Sequence, residues 1–200
     1  MAAIEDLKAK VNQKRGLARA NLFSVELPRI AEAAMDGREL NVLCRDIILP
    51  GRQILSNERL IGSHLERVAF GYAVTDISCT FLCLNDYGVR TYFEAWQNTA
   101  FNQETNEIGY SHGTNGYAKS VKIHQLEKSG NPRNILPEFI RRQINIPGLG
   151  FLAAPQNRKV YSLELEYAYP TTMSAITFNN ELDGIIELNV QLSYKNWKRI

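Results

Sequence analysis

The chain has 200 residues, of which 44% are hydrophobic and 22% charged, so it fits one globular domain, with room for an insertion, whose core needs no staples. Its 23 Lys and Arg against 21 Asp and Glu leave a net charge of +2, too mild to mark a nucleic-acid or membrane binder. Nothing approaches about 18 consecutive apolar residues, and MAAIEDLKAK at the N-terminus lacks an apolar signal segment, which reads as a protein made and kept in the cytosol.

Residues 1–15 place Ile4, Leu7 and Val11 at helical spacing, predicting a short amphipathic helix or a frayed arm. Phe23, Val25 and Leu27 alternate with Ser24 and Glu26, so 19–27 reads as a first strand closed by Pro28. Residues 29–40 read as a loop around Asp36-Gly37, and 41–49 as an apolar strand closed by Pro50-Gly51. The run 51–67 is polar and charged with no sustained period, which predicts a long loop. Residues 68–84 regain strand character, with Ile77, Cys79, Phe81 and Cys83 on one face. A helix follows, capped by Asn85 or Asp86, in which Val89, Tyr92, Phe93, Trp96 and Ala100 fall at i, i+3, i+4, i+7 and i+11. This aromatic stripe reads as packing on a sheet, with a small-ligand groove as the sharper alternative.

Residues 102–118 are rich in Asn, Gly, Thr and Ser and read as a loop. Residues 119–126 form an alternating strand, and 129–132 a turn. Tyr161, Leu163, Leu165 and Tyr167 alternate with Ser162, Glu164 and Glu166 in a half-exposed strand that Pro170 is expected to end. A further strand is expected through Ile176 and Phe178. In the last strand Ile186, Leu188, Val190, Leu192 and Tyr194 alternate with Glu187, Asn189, Gln191, Ser193 and Lys195, one face dry and one wet. The sum is a mainly β fold, an antiparallel β domain with one packed helix and no internal repeat.

No catalytic chemistry announces itself. GxSxG, HExxH, GxxxxGK[ST] and a helix-opening GxGxxG are all missing, so an enzyme is not expected and no catalytic residue or cofactor is assigned. Cys44, Cys79 and Cys83 are an odd number, which favours buried thiols over disulfides. His64, His112 and His124 show no paired ligand spacing, so a metal site is not expected either. Glu164 and Glu166 could act as paired carboxylates, although alternating Glu is also how a sheet keeps one side wet. Arg52, Glu58, Arg59, Glu66 and Arg67 mix both signs, which suits either a solvated loop or a partner surface where complementary charges fix register. An enzyme with an unmarked site and a structural assembly protein are the two classes left standing.

Six segments in order, NLFSVELP (21–28), LCRDIILPGRQI (43–54), ERLIGSHLERVAFG (58–71), ISCTFLCLNDYGVRTYFEAWQN (77–98), AYPTTMSAITF (168–178) and IIELNVQLSYKNW (185–197), carry a resemblance over most of 19–200. Together they resemble the tail tube proteins of contractile-tailed (myovirus) bacteriophages. The resemblance implies two packed antiparallel sheets flanked by a helix, a β-sandwich or barrel. It implies homohexameric rings that stack into a tube, one sheet of each subunit joining a continuous barrel around a channel. It implies a surrounding contractile sheath, a tape-measure protein filling the tube during assembly, and DNA only in transit. A virion tail component assembled in the host cytoplasm follows, with type VI secretion inner-tube proteins sharing the fold and no membrane partner expected. The alternative is a baseplate tube-initiator or a tail-end cap.

The same resemblance matches 51–67 to a family excursion that contacts neighbouring subunits and the next ring, which points to Arg52, Glu58, Arg59, Glu66 and Arg67 as interface residues. A channel that carries DNA needs a wet lining that does not grip phosphates. Glu164, Glu166, Glu187, Asn189, Gln191 and Ser193 are the candidate lumen face, on one or other of the strands 161–167 and 186–194. The expected organisation is an N-terminal arm, 1–18, and a tail-tube β domain, 19–200, with an insertion at about 131–158 where the family has a short turn. PEFIRRQI (137–144) reads there as a short helix, and Ile140, Ile144, Leu149, Phe151 and Leu152 suit either a flap on the same domain or a contact to a neighbour, the next ring or the sheath.

Overall fold

The computed structural model describes residues 2–13, 16–33, 35–113, 116–127, 158–178 and 184–200. The expected turn at 129–132, and the expected insertion apart from its last residue, lie outside the described residues. Helices are α1 (Ala2–Gln13), α2 (Gly37–Leu43) and α3 (Gly88–Ala100). Strands are β1 (Phe23–Glu26), β2 (Cys44–Ile47), β3 (Gln53–Ile61), β4 (His64–Ala73), β5 (Ile77–Leu82), β6 (Lys119–Glu127), β7 (Arg158–Met173), β8 (Glu187–Ser193) and β9 (Asn196–Arg199). Seven strands form one sheet in the order β1-β6-β7-β8-β5-β2, with β9 also paired to β7, while among the described residues β3 and β4 pair only with each other. The sheet is open, so one chain does not close a barrel: β1 and β2 end the path.

Two compact units are distinguished, Val25–Ile123 with Leu163–Ile200, and Met1–Ser24 with His124–Ser162. The first holds most of the core. Cross-strand pairs Ile77↔Leu192, Cys79↔Val190 and Phe81↔Leu188 put the dry residues of β5 and β8 on one face, all at most 1% exposed. Onto Phe81 packs Phe93 of α3, ring centroids 5.1 Å apart, and Val89, Tyr92 and Trp96 beside it are fully buried. The helical stripe is therefore core, as its bland reading expected, with Ala100 half-buried at its end. Trp96 Nε1–H donates to the Tyr117 carbonyl at 2.8 Å, and the Tyr92 hydroxyl donates to the Pro28 carbonyl. Asp86 Oδ1 accepts from the Gly88 amide at 3.1 Å, while Tyr87 between them takes the cap position in the left-handed region at φ 53°. In the second unit His124 is buried, its Nδ1 2.8 Å from Ser162 Oγ and its Nε2 3.0 Å from Lys159 Nζ.

Several expectations are corrected. The loop expected at 29–40 and the strand expected at 41–49 give way to α2 over Gly37–Leu43, and β2 begins only at Cys44. With seven residues and only Leu40 and Gly37 buried, α2 is too short to show a period. Residues 68–84 are not one strand: β4 ends at Ala73 and β5 starts at Ile77. The strand expected through Ile176 and Phe178 does not form, and β9 takes its place at the C-terminus.

Pro170 does not end its strand. β7 runs to Met173, and the ladder with β8 shifts register between Pro170 and Thr172. Proline is tolerated where the ladder is already interrupted, because its missing N–H leaves no partner unmet. Tyr167, at φ 57°, is a second irregularity in the same strand. Before it the buried residues are odd-numbered, Leu163 and Leu165; after it they are even-numbered, Ala168 and Pro170. One left-handed residue thus exchanges the faces of β7 as its partner changes from β9 to β8.

Candidate functional site

The segment expected as a charged loop is a regular hairpin. β3 and β4 pair in antiparallel register from Gln53↔Ala73 to Ile61↔His64, with one bulge between Leu55 and Ser56. Gly62-Ser63 makes the two-residue turn: Gly62 sits at φ 66° while Ser63 stays out of the positive-φ region, the pattern of a type II′ turn. Glycine is needed at that first position because a side chain there would be strained.

Almost every residue of the hairpin is exposed. Ile54 is 67% exposed, Leu60 71%, Leu65 66% and Phe70 64%. Register puts Ile54 with Tyr72 and Leu60 with Leu65 on one face, and the pair Glu58 with Arg67 between them. Arg67 and Glu58 form an ion pair at 3.0 Å. Arg59 and Glu66 lie opposite each other on the other face, yet among the described residues neither forms an ion pair. Arg52 sits just before β3 and donates to Asn196 and the Trp197 carbonyl of β9 at the surface. The five charged residues expected at an interface are thus brought to one hairpin and its root, but three of them are partnered within the chain.

The candidate lining residues fall on polar strand faces, in two groups. On β8, Glu187, Asn189, Gln191 and Ser193 alternate with the buried Leu188, Val190 and Leu192. Glu187 pairs with Arg45 of β2. Asn189 Nδ2 donates to Ser78 Oγ at 2.8 Å and to Thr80 Oγ1 at 3.3 Å. On β7, Glu164 and Glu166 both pair with Lys198 of β9, at 3.2 and 3.0 Å. Ser120 also donates to Glu164. That hydrogen bond, and then Lys198, hold the Glu164 carboxyl below the usual carboxylate range. Glu166 and Glu164 in turn hold the Lys198 ammonium up. So Glu164 and Glu166 share one solvated face, tied through a lysine, and the wet-face reading fits them better than paired acid–base carboxylates.

A carboxyl with a lowered folded value stabilises the fold above its unfolded value, and that stability is lost as pH falls through the folded value. Ser120→Ala is therefore expected to lower the melting temperature at neutral pH by at most roughly 2–4 °C. The difference should shrink as pH falls through the folded value of the Glu164 carboxyl and vanish once that carboxyl is protonated with or without its donor. Thermal melts of both chains across that range check it, and a difference that persists in acid would mean Ser120 acts by packing.

Burial pushes the Cys44 thiol up to about 12, and Cys79 is raised by burial too, so neither is a thiolate nucleophile. Among the described residues no group of three or more His, Cys, Asp or Glu could hold a metal, and no helix is long and apolar enough to cross a membrane. A hollow of about 230 Å³ is lined by Ala175–Phe178 and Gly184–Glu187, with Glu187 the one charged residue among the described lining residues. The sequence reading missed the apolar content of the hairpin, and the signal available was Gly62-Ser63 standing between two strand-length runs.

A family model described as phage tail tube protein matches residues 18–200. No curated protein matches the chain. Among solved structures, a chain of the cryo-EM structure of the anti-feeding prophage tube-terminating cap superposes with a TM-score of 0.57 at 11% identity, covering 92% of this chain and 91% of that one. A chain of the sheath/tube terminator of an extracellular contractile injection system, PVC, in the extended state gives 0.56 at 10% identity, covering 92% and 96%. A chain of the sheath–tube complex of that system gives 0.54 at 11% identity, covering 92% and 93%. At these identities the likeness is one of fold.

Proposed function

Because the chain belongs to the phage tail tube protein family and is a tail component, we propose that its copies close into hexameric rings that stack into the inner tube of a contractile tail. The observation that carries this is the hairpin β3–β4. An isolated two-stranded ribbon is at best marginal in water, and this one exposes Ile54, Leu60, Leu65 and Phe70 on strands with open edges. Such a surface calls for cover, and neighbouring copies of the chain would supply it. Arg59 and Glu66, which form no ion pair among the described residues, are the charges left to match a neighbour.

On this reading the polar face of one of the strands β7 and β8 lines the channel. Their acidic groups are already matched by Arg45 and Lys198, and Asn189 is already bonded to Ser78 and Thr80. Such a face offers phosphates little to hold. The sheath, the tape-measure protein and DNA in transit are the remaining proposed partners. The predicted arm and insertion are proposed as additions to the tube domain.

Negative-stain electron microscopy from low to high concentration tests the reading: long hollow tubes with a regular repeat are expected. Arg59→Glu sets a second carboxylate opposite Glu66 and is expected to prevent tubes while leaving the melting temperature within about 2 °C of wild type. Tubes formed by that variant at wild-type concentration would remove Arg59 from the interface. The second reading, an initiator or cap, draws on the cap and terminator chains that share the fold, and it expects rings without tubes.

A further inference from the structure

One arginine holds the root of the hairpin. The Arg52 guanidinium lies over the Tyr72 ring at 5.3 Å and over the Trp197 ring at 4.7 Å. It donates to Asn196 Oδ1 and to the Trp197 carbonyl, both at 3.3 Å. Trp197 Nε1–H reaches back to the Gly51 carbonyl at 3.4 Å. Tyr72 is on the returning leg of the hairpin, Gly51 and Arg52 lead into the outgoing leg, and Asn196 and Trp197 belong to β9. One planar cation therefore ties both legs to a strand of the main sheet.

The arrangement matters because little else aims the ribbon. Among the described residues β3 and β4 pair only with each other, and their residues are exposed almost throughout. A ribbon without burial would sample many directions, and ordering it at the moment of association would weaken binding. A guanidinium stacked on two rings, with donors spread in a plane, fixes direction in a way a lysine ammonium cannot. We infer that Arg52, with Trp197 as its seat, is a latch that aims the hairpin before any neighbour is met. It is thus a positioning residue for assembly and not itself a contact to the neighbouring copy. The inference rests on the assembly reading given above.

The test compares wild type, Arg52→Ala, Arg52→Lys and Leu60→Glu in two measurements. The first is amide hydrogen exchange over residues 53–73 in the unassembled chain. The second is the concentration at which tubes appear. For Arg52→Ala, exchange over 53–73 is expected to quicken about tenfold and the tube concentration to rise about tenfold, with β5 and α3 protected as in wild type. Arg52→Lys, which keeps the charge and most of the length, is expected to fall between and serves should the alanine variant fail to fold. A rise in tube concentration with unchanged exchange would make Arg52 a direct contact and overturn the latch alone. Quickened exchange with unchanged assembly would also overturn it. Leu60→Glu assembling as wild type, or a wild type that never assembles, would instead overturn the hairpin reading, and the latch's role in assembly would fall with it.

Discussion

Trp96→Ala is expected to cost roughly 3–5 kcal/mol of folding stability, a large share of the ~5–15 kcal/mol that such a domain has. The side chain is fully buried. Its ring stacks on Phe93 at 6.3 Å and 14°, and Tyr92 meets it edge-on at 6.1 Å. Truncation removes these contacts and leaves a cavity between α3 and its surroundings. It also strips the Tyr117 carbonyl of the donor it meets at 2.8 Å. A smaller aromatic ring at the same place grades the loss. Trp96→Phe keeps one six-membered ring but loses the N–H and the five-membered ring with it, so it should cost about 1–3 kcal/mol, less than the alanine variant, through the unmet carbonyl and a smaller cavity. Denaturant unfolding of the unassembled chain, followed by far-ultraviolet circular dichroism, gives both numbers. If Trp96→Phe costs as much as Trp96→Ala, the N–H and the five-membered ring carry the whole loss and the remaining ring adds little; if neither costs more than about 1 kcal/mol, the stripe is not the core it is described to be.

That helix was legible because burial writes its period into the sequence. Val89, Tyr92, Phe93 and Trp96 are apolar where α3 meets the sheet, and β8 alternates because Leu188, Val190 and Leu192 face the core while Glu187, Asn189 and Gln191 do not. The polar-face candidates were readable for the same reason. The hairpin has no buried face, so nothing imposes alternation on QILSNERLI or HLERVAFGYA, and the stretch up to residue 67 looks like loop, with strand character showing only from residue 68. Only Gly62-Ser63 marks the turn. Position on a face could be read, but partners could not. Arg67 meets Glu58 nine residues away, and Arg52 meets Asn196 144 residues away, and both meetings depend on strand register. The continuation of β7 through Pro170 was hidden likewise, since it depends on a register shift with β8 that the sequence of β7 alone does not encode.

Leu60→Glu is the substitution expected to act most strongly on assembly. Leu60 pairs across the hairpin with Leu65, next to the Gly62-Ser63 turn, and the two are 71% and 66% exposed. Burying a leucine against a neighbouring copy is worth about 1.5–3 kcal/mol, roughly a tenfold to hundredfold change in affinity. A carboxylate at that place loses this and must also be desolvated. Each copy in a ring would meet its neighbours through the same hairpin, so the loss recurs at every contact, and the tube concentration should rise more than a hundredfold. The folded chain should hardly notice. Leu60 is mostly exposed, and the pair Glu58 with Arg67 still holds register two residues away. Melting within about 2 °C of wild type is the expected control, with electron microscopy and sedimentation reading assembly. Leu60→Ala should lie between, because it removes apolar area without adding charge. Should both variants form tubes at the wild-type concentration, the exposed leucines would have to be covered by something other than a copy of this chain.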